Sequence, residues 1–371
     1  MTVAALVARL RHRLVADLRP GLPVTREWLA AAARQEAPLL ADPGVDAAVD
    51  QVLAHARGLG PLEPLLADPE VNEVMVNGGG RVWVERQGRL ERTPLLLDVG
   101  TVEHVIEKVV APLGLRADRA SPLVDARLPD GSRVHAVLPP LAIDGPCLTI
   151  RRFTVRALEL SDFCPPPVAA LLRVAVRERR NVLVAGATSS GKTSLLNALA
   201  AEIPPGQRIV TVEEAAELRL PQEHVVRLEA RPANAEGVGA VRVRELVRNA
   251  LRMRPDRLLV GEARGPEAFD LLQAMNTGHD GSLSTCHANS PPDALRRLET
   301  MVLMAKVALP LVAVRQQIGA ALDLVVQVAR RSDGTRRVVQ VAEVTADPPA
   351  VRVLADADTV LAAPERPPRA P

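Results

Sequence analysis

Eight consecutive residues, Gly186-Ala187-Thr188-Ser189-Ser190-Gly191-Lys192-Thr193, fit the pattern G-x-x-x-x-G-K-[ST]. The types suit one chemistry. Glycines let backbone N–H groups turn toward phosphate oxygens, and a helix starting at the second glycine adds its positive dipole end. Lys192 can bridge the terminal phosphates, the Thr193 hydroxyl can ligate Mg²⁺, and Ser194 follows in the first helical turn. All but three of the 46 basic residues are arginines, the lysines being Lys108, Lys192 and Lys306. A compact ammonium between two phosphates is not replaced by a planar guanidinium fork, so its use here is telling. The stretch reads as a nucleotide-binding loop.

Such a loop needs carboxylates to hold the water shell of Mg²⁺ and to orient an attacking water. Leu258-Leu259-Val260-Gly261-Glu262 places an acid just past an apolar strand, and Ile209-Val210-Thr211-Val212-Glu213-Glu214 places a pair past another, with Glu217 further on. Thr277-Gly278-His279-Asp280-Gly281-Ser282-Leu283-Ser284-Thr285-Cys286-His287 sets one histidine before and one after a further strand. A zinc-type ligand set is not formed by Cys286 and His287 with their neighbours. The two histidines read either as polar sensors beside the γ-phosphate or as ordinary turn residues. Arg244, Arg248 and Arg252 recur every four residues, a basic stripe that is either solvated or faces a neighbour's phosphate.

These residues must be carried by regular elements. Apolar runs at Val182–Gly186, Ile209–Glu213, Val225–Glu229, Leu258–Gly261, Ser282–Thr285, Leu324–Ala329 and Val338–Val344 alternate with helical patterns at Lys192–Glu202, Val241–Met253, Pro266–Asn276, Asp293–Lys306 and Leu311–Ala321. The alternation predicts an α/β, RecA-like domain over 168–355, with a doubly wound, mostly parallel sheet and ligands at the carboxyl ends of its strands. Before it, alternating residues at 71–77 and 81–85, a helix near 101–113 and strands at 132–138 and 147–152 predict a smaller α+β domain over 58–153. Its segment 125–133 reads as a polar turn containing Arg127 and Arg133, and Arg151 ends the last strand. Residues 1–57 read as a helical appendage: a first helix over 2–18 stopped by Pro20-Gly21, a second capped by Thr25, and a third from about Gly44. Phe163-Cys164-Pro165-Pro166-Pro167 predicts a stiff extended linker over 154–167, the following helix with Arg173, Arg177, Arg179 and Arg180 a solvated basic face, and 356–371 a disordered tail.

Composition narrows the partners. Aromatic residues make up 1% of the chain, with no tyrosine, so the stacking platforms of single-strand nucleic-acid binders are largely missing. A net charge of +2 creates no field that calls for a polyanion. Three scattered cysteines fit a reduced compartment, no apolar run is long enough to span a bilayer, and the start lacks the layout of a signal peptide. The expectation is a cytoplasmic chain that reaches a membrane through partners.

The segments GPLEPLLADPEVNEVMVNG, VDARLPDGSRVHAVLPPLAIDGPCLTIRRF, GATSSGKTSLLN, RIVTVEEAAEL, LVRNALRMRPDRLLVGEARGPEAFDLLQAMNTGHDGSLSTCHANSP and DALRRLE together resemble the type II/IV secretion-system ATPase family, most closely its tight-adherence (Flp pilus), CpaF-like branch. The resemblance runs from about Leu59 to about Val344. It implies a homohexameric, Mg²⁺-dependent ATPase working on an inner-membrane platform in pilus assembly or secretion, with Lys192 and Thr193 on the phosphates and Mg²⁺. Glu213 and Glu214 match the acidic box that polarises water, Glu262 the Walker B acid acting on Mg²⁺ through water, and His279 and His287 the histidine box. Arg127, Arg133 and Arg151 match positions that reach phosphates, across a subunit boundary in one arrangement. Ser189 stands where the family usually has Gly, and Glu214 where Asp is usual. Two rival readings are a nucleic-acid motor of RecA class and a module in which nucleotide only gates assembly.

Overall fold

A strand buried at every position has to be covered on both faces, and Val182–Gly186 is such a strand. In the computed structural model Val182 and Val184 belong to one apolar cluster, and Leu183 and Ala185 to another. The sheet therefore separates two cores. The structure describes residues 1–17, 25–86, 88–152, 158–234, 236–331, 333–345 and 350–369. They fall into two units, Met1–Thr154 and Val155–Pro371.

In the first unit, α1 (Val3–Asp17), α2 (Arg26–Glu36) and α3 (Asp42–Arg57) enclose a small core around Leu6, Leu10, Leu29, Ala33, Ala48 and Val49. The Thr25 hydroxyl accepts the Trp28 N–H and caps α2. The Pro20-Gly21 stop expected for α1 lies outside the described residues. After α4 (Glu63–Ala67), the strands β1 (Val71–Val76), β2 (Arg81–Arg86), β3 (Arg89–Leu96), β4 (Leu123–Arg127), β5 (Arg133–Val137) and β6 (Cys147–Arg151) form an antiparallel sheet in the order β3-β2-β1-β6-β5-β4. Its apolar face shares a core with α5 (Val99–Val110).

Two strands here depart from the expectation. β3 is an exposed edge strand rich in charge and containing Pro94, which hides the period-two signal. The expected polar turn at 125–133 is narrower: Asp125–Arg127 pair with Arg133–His135, and only the residues between turn the chain, closed by the Leu128 N–H on the Ser132 carbonyl.

The second unit runs α6 (Pro166–Arg177), β7 (Val182–Gly186), α7 (Lys192–Ala201), β8 (Ile209–Glu213), β9 (Val225–Glu229), α8 (Val243–Ala250), β10 (Arg257–Val260), α9 (Glu267–Asn276), β11 (Leu283–His287), α10 (Pro291–Met304), α11 (Leu311–Ala321), β12 (Leu324–Arg330), β13 (Arg336–Val344) and β14 (Val351–Asp356). The strand order is β14-β13-β12-β7-β11-β10-β8-β9. From β12 to β9 every pair is parallel, as the alternation of strands and helices predicts. An antiparallel extension, β13 and β14, closes the other edge. Among the described residues no helix is long and apolar enough to cross a membrane.

Three further expectations are corrected. Leu160, Phe163 and Cys164, placed in an extended linker, lie in the core against α6, with Phe163 at 0% exposure; residues 154–157 are outside the described set. Apolar side chains outweigh the proline signal there. The basic residues near α6 are not one solvated face, since Arg180 is buried beside Glu178 and Arg179 donates to the Asp256 carbonyl. Nor is the basic stripe on α8 free: Arg244 and Arg248 both donate to Asp270, at 2.7 Å each.

The segment expected to be a disordered tail folds back onto the second unit. The Arg366 backbone N–H donates to Glu343 and its guanidinium lies 3.4 Å from Asp323, while Arg369 pairs with Asp323 at 2.6 Å and Asp280 at 2.9 Å. Asp323 and Glu343 are both almost fully buried. Breaking a buried pair leaves an uncompensated charge. Replacing both Arg366 and Arg369 by Ala should therefore cost about 3 kcal/mol in urea denaturation; an unchanged midpoint would show that the tail does not dock.

Candidate nucleotide site

β7 delivers the chain into the 186–193 loop with little room to spare. A Cβ on Gly186 would collide with Ser190 Oγ and the Val328 carbonyl. Gly191 has φ 96° and lies under the Arg336 side chain, so the turn into α7 requires glycine twice over. Ser189 takes φ 59°, the left-handed region in which a family glycine would sit without strain. Ala187, Thr188 and Ser189 form the exposed tip, Ser190 is buried with no partner for its hydroxyl, and Thr193 and Ser194 are half-buried on the first turn of α7. No side chain caps that helix, so its first N–H groups stay available to an anion.

Lys192 is only 8% exposed. Its Nζ donates to the Ala187 carbonyl at 3.1 Å and lies 3.4 Å from His287 Nε2. Glu262 Oε1 is 2.9 Å from His287 Nε2 and 4.0 Å from Lys192 Nζ. The Lys192 approach is one of charge and the His287 approach a close contact, that oxygen having no hydrogen-bond partner. Burial pushes the Lys192 ammonium below the ordinary lysine range, opposed by Glu262. Burial, and then the Lys192 charge, also hold His287 below the ordinary histidine range against the pull of Glu262. The imidazole is thereby kept toward its neutral form.

Strand direction sorts the histidines. β11 runs parallel to β7 with His287 opposite Gly186, so His287 sits at the loop edge. His279 precedes the strand and lies at the opposite edge, on the order of 16 Å away along five residues. It is therefore not part of a pair beside the phosphates within this subunit; its Nδ1 is buried without a partner.

Glu213 ends β8 and packs against Gly261, where a Cβ would come within 2.9 Å of Glu213 Cγ. Its Oε1 accepts the N–H groups of Glu217 and Leu218 at 2.8 and 3.0 Å, and its Oε2 is buried and unpartnered. Burial dominates these hydrogen bonds and raises the carboxyl to about 7. Glu214 is exposed and paired with Arg264 at 2.9 Å.

In the first unit Arg127 faces Arg133, Arg133 faces Arg151 and Arg151 faces Glu73, one row across four strands. Register thus gathers the three arginines on one sheet face.

Sequence reasoning missed two cations. Arg264, two residues beyond Glu262, bonds that acid, and its place in the Gly-Glu-Ala-Arg run was the available signal. Arg336 reaches Gly191 only through the β12–β13 hairpin, and no local pattern announces it.

The residues present fit a hydrated Mg²⁺: a hydroxyl on the first turn of α7 and an unpartnered carboxylate oxygen turned toward Lys192. No group of three or more His, Cys, Asp or Glu that could hold a metal occurs among the described residues, so an ion here would draw its other ligands from phosphate and water, as Mg²⁺ does.

A parallel sheet in which an interior strand enters a Gly-bounded loop, with acids delivered at the same edge by other strands, defines an α/β protein of the P-loop NTPase class. Residues 55–356 match the profile of the type II/IV secretion system protein family, and the chain belongs to that family of secretion-system ATPases. The type IV secretion system protein PtlH of Bordetella pertussis is 38% identical over 331 residues, covering 79% of this chain and 95% of PtlH. The conjugal transfer protein TrbB of Rhizobium radiobacter is 36% identical over 280 residues, covering 73% of this chain and 83% of TrbB. The X-ray structure of the Legionella pneumophila ATPase DotB shares the fold at a TM-score of 0.56 and 21% identity, over 77% of this chain and 80% of DotB.

The raised Glu213 carboxyl has a consequence for stability. The fold favours its protonated form, so its contribution is full below about 4.5 and is lost as pH rises through about 7. The advantage of Glu213→Gln over wild type should therefore grow by about 2 kcal/mol between pH 5.5 and 8 in urea denaturation; a constant difference would place the titration elsewhere.

Proposed function

We propose that this chain is a Mg²⁺-dependent ATPase of a secretion or pilus-assembly motor, hydrolysing the β–γ bond of ATP. The observation that carries the reading is the meeting of Lys192, His287 and Glu262 beside the 186–193 loop, at the carboxyl edge of three adjacent strands. The backbone of the loop and the N-terminus of α7 bind the phosphates, and Lys192 neutralises the terminal ones. Thr193 and, through water, Glu262 would hold the Mg²⁺, which would supply charge neutralisation on the phosphates. Glu213 takes the proton of the attacking water as its oxygen bonds to Pγ and the bond from Pγ to the bridging oxygen breaks, leaving ADP and phosphate. Glu214 and Arg264 flank this acid, and neutral His287 donates or accepts a hydrogen bond near the γ-phosphate.

Arg127, Arg133 and Arg151 are assigned to charge that develops on the transferred phosphoryl group, on nucleotide held by another copy in a homohexameric ring. Domain closure would then do work on an inner-membrane platform, the chain lying in the cytoplasm against that membrane through its partners. Within the family we favour the tight-adherence branch, on the segments quoted from the sequence.

Lys192→Ala should abolish binding of a fluorescent ATP analogue, whereas Glu262→Ala should bind it and lose at least about a hundredfold in turnover. Normal phosphate release by either variant would defeat the reading. Arg133→Ala should hydrolyse slowly yet regain activity when mixed with Lys192→Ala subunits. Absence of rescue at every mixing ratio would show that each subunit uses its own arginines.

A further inference from the structure

The turn between β10 and α9 is fixed before its side chains are considered. Buried Glu267 accepts the N–H groups of Arg264 and Gly265, at 2.7 Å each, through one oxygen. From that fixed root the Arg264 guanidinium forks. Nε donates to Glu262 Oε2 at 2.5 Å, and one terminal nitrogen donates to Glu214 Oε2 at 2.9 Å. The two acids follow the ends of adjacent strands, β10 and β8. A planar fork presents both donors in one fixed geometry, which the rotating ammonium of a lysine does not.

The pairing is strong in geometry but open to solvent. The Arg264 side chain is 57% exposed, so it can swing into water, and Glu262, at 20% exposure, then requires another counter-charge. Glu262 is shared: Oε2 belongs to Arg264, while Oε1 faces Lys192 and His287. A carboxylate already neutralised by a guanidinium attracts a divalent cation less, because the cation must displace the arginine or work against its charge.

We propose that Arg264 is a positioning residue, a built-in counter-ion that holds Glu262 and Glu214 until Mg²⁺ and nucleotide take its place, and so raises the Mg²⁺ concentration the site requires. The proposal rests on the assignment of Glu262 to the Mg²⁺ water shell. Its sign sets it apart from a scaffolding role. Losing a scaffold disorders the acids and raises the Mg²⁺ requirement; losing a competitor lowers it.

The test is a Mg²⁺ titration of binding of a fluorescent ATP analogue to the full-length chain, followed by polarisation and independent of turnover. For Arg264→Ala the half-saturating Mg²⁺ should fall about three- to tenfold, the effect of removing one partly exposed ion pair. Arg264→Lys, which keeps the charge without the fork, should fall between Ala and wild type, and it carries the test if the Ala variant misfolds. A requirement unchanged or raised in both variants overturns the proposal alone. Wild-type binding that does not depend on Mg²⁺ overturns the assignment of Glu262 and this proposal with it.

Discussion

A lysine ammonium held almost out of water is the constraint around which the second unit is arranged. Among the described residues Lys192 has one carboxylate within 4.0 Å, and that carboxylate is also approached by His287 and bonded by Arg264. Burial works against the charge and Arg264 adds to the repulsion. Buried charges are normally matched closely by opposite ones, because desolvation costs several kcal/mol per ion, roughly, when they are not. Here the match is loose, and the helix dipole of α7 adds further positive potential at the same point. The site is short of negative charge. On the proposed function a polyphosphate would supply what the protein withholds, and the local discomfort of Lys192 would then be part of its affinity.

That arrangement depends on all six strands from β12 to β9 running the same way. Because they are parallel, whatever follows β7, β8, β10 and β11 arrives at one edge: the loop, Glu213, Glu262 and His287. Whatever precedes them arrives at the other edge, and there the polar groups serve the fold. Asn181 accepts from the Ser282 N–H at 2.9 Å and donates to the Ala321 carbonyl at 2.7 Å, while its own N–H reaches Asp323 at 2.8 Å. Buried Arg257 is tied to Gln207 and to the Val176 carbonyl. The same rule sends His279 and His287 to opposite edges although eight residues separate them in sequence.

What could be read from the sequence follows from how far each signal reaches. The loop was legible because its chemistry lies in eight neighbouring residues, and Glu213 and Glu262 because an apolar strand directly precedes each. The parallel sheet was legible because strand and helix periodicities alternate without interruption. β3 and β14 were not, each lying at the edge of its sheet, β3 rich in charge and β14 paired with β13. Phe163 and the tail were misread for a related reason. Proline and arginine content describes a segment's own preferences, whereas Phe163 is decided by a core assembled from distant elements, and Arg369 by Asp323 and Asp280, 46 and 89 residues away. Arg336 over Gly191 belongs with these.

The edge that carries the loop also keeps acceptors that the fold does not use. Ser190 Oγ, Glu213 Oε2 and Glu262 Oε1 are each buried without a hydrogen-bond partner. An unpartnered buried group costs about 1–3 kcal/mol, so three of them around one loop are a large concession for a domain of marginal stability. The other oxygen of each carboxylate is hydrogen-bonded, Glu213 Oε1 by two backbone N–H groups and Glu262 Oε2 by the solvent-exposed Arg264. Each carboxylate is thus held through one oxygen, while Glu213 Oε2 is without a hydrogen bond and Glu262 Oε1 faces the His287 ring and the Lys192 ammonium without one. A protein–protein hydrogen bond at the open oxygens would have stabilised the fold and closed the site to water. An acid fixed at one oxygen and free at the other is what a proton acceptor or a hydrated-cation ligand requires, and the unspent lone pairs mark where such groups belong.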